Sequence, residues 1–239
     1  MSVRLLAFDT STEAMAIAVR GPGGDHGALL PGGARASAGL LPAIHALLAE
    51  AGLKLADIDA IAFGQGPGAF TGLRTSCAVA QGLGFGLDRP LLALDSLLVV
   101  AEDARLQVAP EAESFEVGVA MDARMDEVYA GRYLWAQGRW HVIVAPALYT
   151  LPALARAWAQ PPDWVAGSAW AAFGERLGLP ADQRCVAQER DRPAALLCLA
   201  QAMFDGGLGI AAADALPLYL RDKVALTTAE REALKAGVR

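Results

Sequence analysis

Apolar positions in the first hundred residues follow two rhythms. Short runs in RLLAFDT (4–10) and MAIAVR (15–20), joined by the small polar turn STEA, predict two strands of a hairpin. Leu40, Leu41, Ile44, Leu47, Leu48 and Ala51 then recur at helical spacing in SAGLLPAIHALLAEAG (37–52), with Gly52 as the stop. DIDAIAFG (57–64) reads as a buried strand. AFGQGPGAFTGLR (62–74) is a glycine-rich turn leading into a helix from about Thr71 to Leu87, and PLLAL (90–94) and SLLVVAEDAR (96–105) predict a strand and a short helix.

The pattern then restarts. FEVGVAMDARMDEVYAGRYL (115–134) repeats the order strand, Asp, turn, strand, so that Asp122 in the second half answers Asp9 in the first. WHVIVA (140–145) and DWVAG (163–167) read as further strands. LPALARAWA (151–159), AWAAFGERLG (169–178) and PAALLCLAQAMFDGG (193–207) read as helices. We therefore expect an α/β protein of two tandem domains of the actin-like ATPase (ASKHA, ribonuclease H-like) type. Each would hold a mixed sheet of the five-stranded kind flanked by helices, with the boundary in Gln107–Ser114: domains at 1–106 and 107–239, the C-terminal tail mobile or packed back. Such a fold does not fix an activity.

Composition narrows the function classes. The 239 residues carry a net charge of −6 and no cluster of basic residues, so this chain alone is not expected to hold RNA or DNA, whose phosphates demand a basic surface. Cys77, Cys185 and Cys198 have no CxxC spacing, which fits a reducing cytoplasm. Only Leu5 to Phe8 precede Asp9 as an apolar run, too short for a signal peptide, and no stretch is long enough to span a membrane. A cytoplasmic protein is expected.

Catalytic motifs are incomplete. GQGPGA satisfies G-x-G-x-x-A between strand and helix, yet Asp88 stands at the wrong end of the next strand for a dinucleotide site. Pro67 removes an N–H from any anion cradle, and no G-K-[ST] follows. A structural turn is the preferred reading, with a vestigial or shared phosphate site as the alternative. Asp9, Thr10 and Ser11 could hold Mg²⁺ through water and bond phosphate. The turns DTSTEA and DARMDE lack glycine, however, and carboxylates bonding their own turns account for them as well. His26, His45 and His141 lack metal-ligand spacing, and no G-x-S-x-G elbow exists. Neither a metal nor a cofactor is expected.

Two helices stand out because they lack charge: Glu50 alone in 36–51, and nothing in 75–87. A surface helix ordinarily keeps a polar face. We expect a partner-binding surface from Leu40, Leu41, Ile44, His45 and Leu48 on the first, and Thr75, Ala78, Val79, Gly82 and Phe85 on the second, with a purely internal core as the alternative.

The stretches LLAFDTSTEAMAIAV, GQGPGAFTGLRTSCAVAQGL, LALDSL, MDARMDEVY and PLYLRD resemble, in order and across almost the whole chain, the bacterial TsaB (YeaZ) family of tRNA threonylcarbamoyladenosine biosynthesis proteins. The resemblance implies a non-catalytic subunit of actin-like fold. Its partners would be a TsaD-type transferase acting on adenosine 37 of tRNAs reading ANN codons, a TsaE-type ATPase, and a second copy of itself when alone, with tRNA met only through the complex. TsaD-type enzymes bind metal through H-x-x-x-H, where Ser96 and Val100 stand here. On this reading Gly66, Pro67, Gly68, Phe70, Thr71, Gly72 and Arg74 launch a docking helix, with Thr71 as its cap and Arg74 anchoring the loop or facing the partner. Asp9, Thr10, Ser11, Asp122 and Arg124 form the turns opposite. A phosphotransferase or ATPase of the same superfold is the alternative, and a metalloprotease-like hydrolase a weaker one.

Overall fold

A computed structural model of the chain describes residues 3–221, so the last residue of PLYLRD and the expected tail lie outside the described part. The first half contains β1 (Leu5–Asp9), β2 (Ala14–Gly21), β3 (Gly24–Pro31), α1 (Ala36–Glu50), β4 (Ala60–Gly66), α2 (Phe70–Leu87), β5 (Leu91–Asp95) and α3 (Ser96–Val108). The second contains β6 (Ser114–Asp122), β7 (Glu127–Ala136), β8 (Arg139–Thr150), α4 (Leu151–Ala157), β9 (Trp164–Ala166), α5 (Ala169–Phe173), β10 (Arg184–Val186) and α6 (Arg192–Asp205).

The two sheets share one topology. One runs β3-β2-β1-β4-β5 and the other, reversed, β8-β7-β6-β9-β10, with an antiparallel meander leading into parallel strands. This is the duplicated α/β actin-like arrangement that the repeated Asp hairpins predict. Each hairpin carries a third strand: β8, which contains the expected WHVIVA, and β3, which was not expected. β3 is hard to see in sequence because it is an edge strand: Gly24, Asp25, His26 and Gly27 break its apolar alternation and most of it faces solvent.

Helix packing is reciprocal. α1 and α2 cover the outer face of the first sheet through Leu40, Ile44, Leu47, Leu48, Cys77 and Ala80, each large apolar side chain there contributing ~1.5–3 kcal/mol. α4 and α5 cover the second. Between the sheets, α3, which ends the first half, packs through Leu97, Val100, Ala101 and Ala104 on the second sheet. In exchange α6, which ends the second half, packs through Ala195, Leu196, Leu199 and Ala200 on the first. α3 runs to Val108, and residues 109–113 link it to β6, where we propose the division between the halves.

After α6 the chain stays on the first half. Ile210 exchanges both backbone hydrogen bonds with Leu91, Ala212 and Ala215 are buried beneath α2, and the Leu218 N–H donates to the Gln65 carbonyl at 2.7 Å. Residues 206–221 thus form a strap. None of the helices described is long and apolar enough to cross a membrane.

Candidate functional site

The glycine-rich loop packs directly on the first Asp turn. A Cβ on Gly72 would lie 1.8 Å from the Thr10 carbonyl oxygen, and one on Gly68 2.5 Å from that of Ser11. Gly66 has φ +117°, a conformation that side chains rarely adopt. The Thr10 hydroxyl donates to the Gly72 carbonyl at 2.7 Å, and the Ala69 N–H to the Ser11 carbonyl at 2.8 Å. The Gly66 N–H donates to Ser96 Oγ at 3.2 Å. The glycines therefore serve turn-on-turn contact, and two amides that a phosphate would need already have partners. Ser96 takes part in that contact, and Val100 lies in the core.

Helix α2 begins at Phe70, one residue before the expected start, with Ala69 at the N-cap and no side-chain cap. This corrects the role expected of Thr71, which sits inside the first turn; its carbonyl accepts from the Thr75 hydroxyl. Arg74 lies over the Phe70 ring at 3.9 Å and donates through Nε to the Tyr219 hydroxyl at 3.0 Å, tying the strap to α2.

Asp9, at the end of β1, is wholly buried. It accepts from its own turn at Ser11 N (2.6 Å) and pairs with Arg192, also buried, at 2.8 Å. Arg192 reaches Ser11 Oγ at 3.1 Å and pairs with Glu189 as well. Burial alone would raise the Asp9 carboxyl; the guanidinium and the Ser11 hydrogen bonds reverse this and hold it below the usual carboxylate range. In place of a free carboxylate for a magnesium–phosphate group, the fold places an internal ion pair.

Asp95 sits nearby. It caps α3 at Leu97 N (2.9 Å) and accepts from the Tyr133 hydroxyl of β7 at 2.7 Å, bridging the halves. Burial pushes it up to about 6, opposed by the Tyr133 and Leu97 hydrogen bonds and assisted by the charge of Asp9. A folded-state pKa above the unfolded value means that the ionised form destabilises the fold, by an amount that grows as pH rises from about 4 to 6 and is constant above. Asp95→Asn keeps the Oδ1 acceptor that caps α3 and turns an Nδ2 donor toward the Tyr133 hydroxyl, which then accepts. It should raise the thermal midpoint at pH 8 and leave it unchanged below pH 4, which calorimetry across that range will read.

The two Asp turns face each other across a cleft of about 810 Å³, whose lining includes Glu13, Phe70, Asp122, Arg124, Arg192 and Tyr219. On its far side Arg124, Met125 and Asp126 are consecutive non-glycine residues in the left-handed region, with φ of 65°, 59° and 57°. Such backbone costs ~1–2 kcal/mol per residue and needs external support. Asp122 supplies some by accepting from Arg124 N at 2.8 Å. Arg221, at the end of the strap, donates to the Ala123 carbonyl at 3.0 Å and pairs with Glu127 at 2.7 Å. Among the described residues no group of three or more His, Cys, Asp or Glu could hold a metal ion.

The uncharged helices divide their predicted contact residues. Leu40, Ile44 and Leu48 point into the core, so a place for them on an exposed surface is corrected: they hold α1 on the sheet. Leu41, His45, Ala78, Gly82 and Phe85 are exposed, Phe85 by 66%, while Thr75 and Val79 are half-buried. An uncharged exposed stripe therefore runs along α2 from Ala78 to Phe85, beside Leu41 and His45 of α1.

Sequence reasoning missed Arg192, Tyr219 and Arg221. The signal for Arg192 was a cation in the first turn of a helix, between Asp191 at the N-cap and Pro193, where the macrodipole disfavours it unless an anion waits. Tyr219 and Arg221 stood in PLYLRD, with no local pattern to say what they grip.

Compared with known proteins, residues 33–162 match the family of TsaD, tRNA N6-adenosine threonylcarbamoyltransferase. The Escherichia coli protein named tRNA threonylcarbamoyladenosine biosynthesis protein TsaB is 34% identical over 230 residues, covering 93% of this chain and 96% of its own. The Haemophilus influenzae protein of that name is 32% identical, covering 93% and 95%. The solved structure of YeaZ from Pseudomonas aeruginosa is 39% identical, with a TM-score of 0.80 over 92% of this chain and 100% of its own. The chain belongs to the TsaB (YeaZ) family.

Proposed function

We propose that this protein is a cytoplasmic, non-catalytic subunit required for threonylcarbamoylation of adenosine 37 in tRNAs reading ANN codons. It acts as scaffold and activator of a TsaD-type transferase, with a TsaE-type ATPase joining the complex and tRNA met through the assembly. The observation that carries this reading is the buried Asp9–Arg192 pair, which neutralises the carboxylate a nucleotide-hydrolysing member of this fold would keep for its metal. The exposed stripe on α2 supports a docking role: its uncharged residues cover a face that a self-sufficient protein would keep polar. The same face can be covered by a second copy when the transferase is absent.

Reconstitution tests it. The chain alone should form no modified nucleoside on tRNA. Together with a TsaD-type subunit, a TsaE-type ATPase and a source of threonylcarbamoyl-adenylate it should give product, and omitting the chain should abolish it. Product from the chain alone, or saturable binding of Mg²⁺-ATP by the isolated protein, would return the reading to a phosphotransferase of the superfold.

A further inference from the structure

The strap after α6 belongs to no motif that the proposed activity uses, yet it lies along the docking helix. On α2 the exposed positions 78, 82 and 85 form one stripe. Cys77 and Gln81, on one flank, donate to the Ala215 carbonyl at 3.4 and 2.9 Å, and a Cβ on Gly84 would meet Ala212 at 3.1 Å. On the other flank Val79 and Leu83 pack into the cluster that α1 builds. The stripe is thus a floor with two walls, α1 on one side and the strap on the other.

Past the exposed Asp214, the strap wall presents apolar side chains to solvent. Leu216, next to the buried Ala215, is 70% exposed, and Tyr219 is 43% exposed. The backbone beneath Leu216 is held through the Ala215 carbonyl, the Tyr219 ring packs on Phe70 at 5.2 Å with its hydroxyl held by Arg74, and Arg221 fastens the end of the strap to the turn of the second half. A wall ordered in the free protein costs little entropy when it is used, which favours affinity.

Resting on the docking role proposed above, we infer that Leu216 and Tyr219 form a third element of the docking face and that its occupant is a helix of the TsaD-type subunit. Residues 33–162, which match that family, include α1 and α2, so the partner carries equivalents of both helices. A helix laid on the stripe at the usual interaxial distance of ~8–10 Å would lie between α1 and the strap, with Leu216 and Tyr219 on the strap side.

Three variants test this, each checked for folding by circular dichroism and thermal melting, with affinity for the TsaD-type subunit read by calorimetry. Leu216→Asp sets a charge in the wall at an exposed position and should weaken binding about tenfold or more with an unchanged melt. Val142→Asp, on the solvent-facing edge strand β8, is 55% exposed in the wild type and should bind normally. Gly82→Arg in the floor should weaken binding by two or more orders of magnitude. Wild-type affinity for Leu216→Asp alongside lost binding by Gly82→Arg overturns the strap as a wall and leaves the helix face standing. Wild-type affinity for both overturns the docking reading itself, and equal loss in Val142→Asp and Leu216→Asp overturns the strap's specific role.

Discussion

Replacing Arg192 by methionine will lower the stability of the fold by about 3–5 kcal/mol, the range for removing one partner of a buried ion pair. Asp9 is left in the interior with the Ser11 N–H as its remaining strong donor, and its carboxyl, now dominated by burial, moves from below the usual range to above it. The sign of the pH response follows. In the wild type the folded-state pKa lies below the unfolded one, so the contribution of Asp9 is fully present at neutral pH. It is lost only as pH falls through that depressed value. In Arg192→Met the deficit is largest at neutral pH and shrinks on acidification, as the buried carboxyl takes up a proton. Urea unfolding at pH 7 and pH 5 will show the two curves converging. The double variant Arg192→Met, Asp9→Asn should recover most of the loss, because the stranded charge is what costs. A single variant as stable as the wild type at pH 7 would mean that the pair contributes nothing.

Replacing Gly82 by arginine will leave the protein folded and reduce its affinity for the TsaD-type subunit by two or more orders of magnitude. A Cβ at position 82 meets nothing within 4 Å, and arginine is the better helix former by roughly 0.5–1 kcal/mol, so the melt should hold or rise slightly. An interface of ordinary size, on the order of 1,600 Å² in total, would bury that guanidinium without a counter-charge, at a cost of several kcal/mol. At about 1.4 kcal/mol per tenfold, the loss follows. Self-association should fall with it, which size-exclusion chromatography will show. The contrasting Gly84→Arg, two residues on, drives its side chain into Leu91 and Ala212 and should unfold the strap region. A Gly82→Arg protein that still pairs normally would remove this helix from the interface.

The repeat was legible because a central strand buried on both faces, such as Leu5–Asp9, is an unbroken apolar run ending in a carboxylate, and a like run, VGVAM (117–121), precedes Asp122 in the second half. The edge strand β3 was not, since pairing with β2 rather than burial holds it extended. The helix face was half legible. Absence of charge marks α1 and α2 as unusual, but one face of each must cover the sheet. Composition cannot separate Leu40, Ile44 and Leu48, which do so, from Leu41, which does not. The Asp9–Arg192 pair spans 183 positions and rests on α6 crossing to the other half's sheet, an exchange that no local pattern encodes.

That exchange also governs the order in which the protein can be made. The inner face of the first sheet, with Leu5, Ala7, Ala16, Ala18, Ala60 and Ala62, is covered by α6, which lies beyond β10 in the chain. On a ribosome moving at ~5–20 residues per second, that face stays bare for several seconds after β5 has emerged. The N-terminal half cannot be completed as an independent unit during synthesis, and arrested chains ending before Arg192 should be protease-sensitive and drawn to chaperones. Resistance should appear only once Asp205 has cleared the exit tunnel.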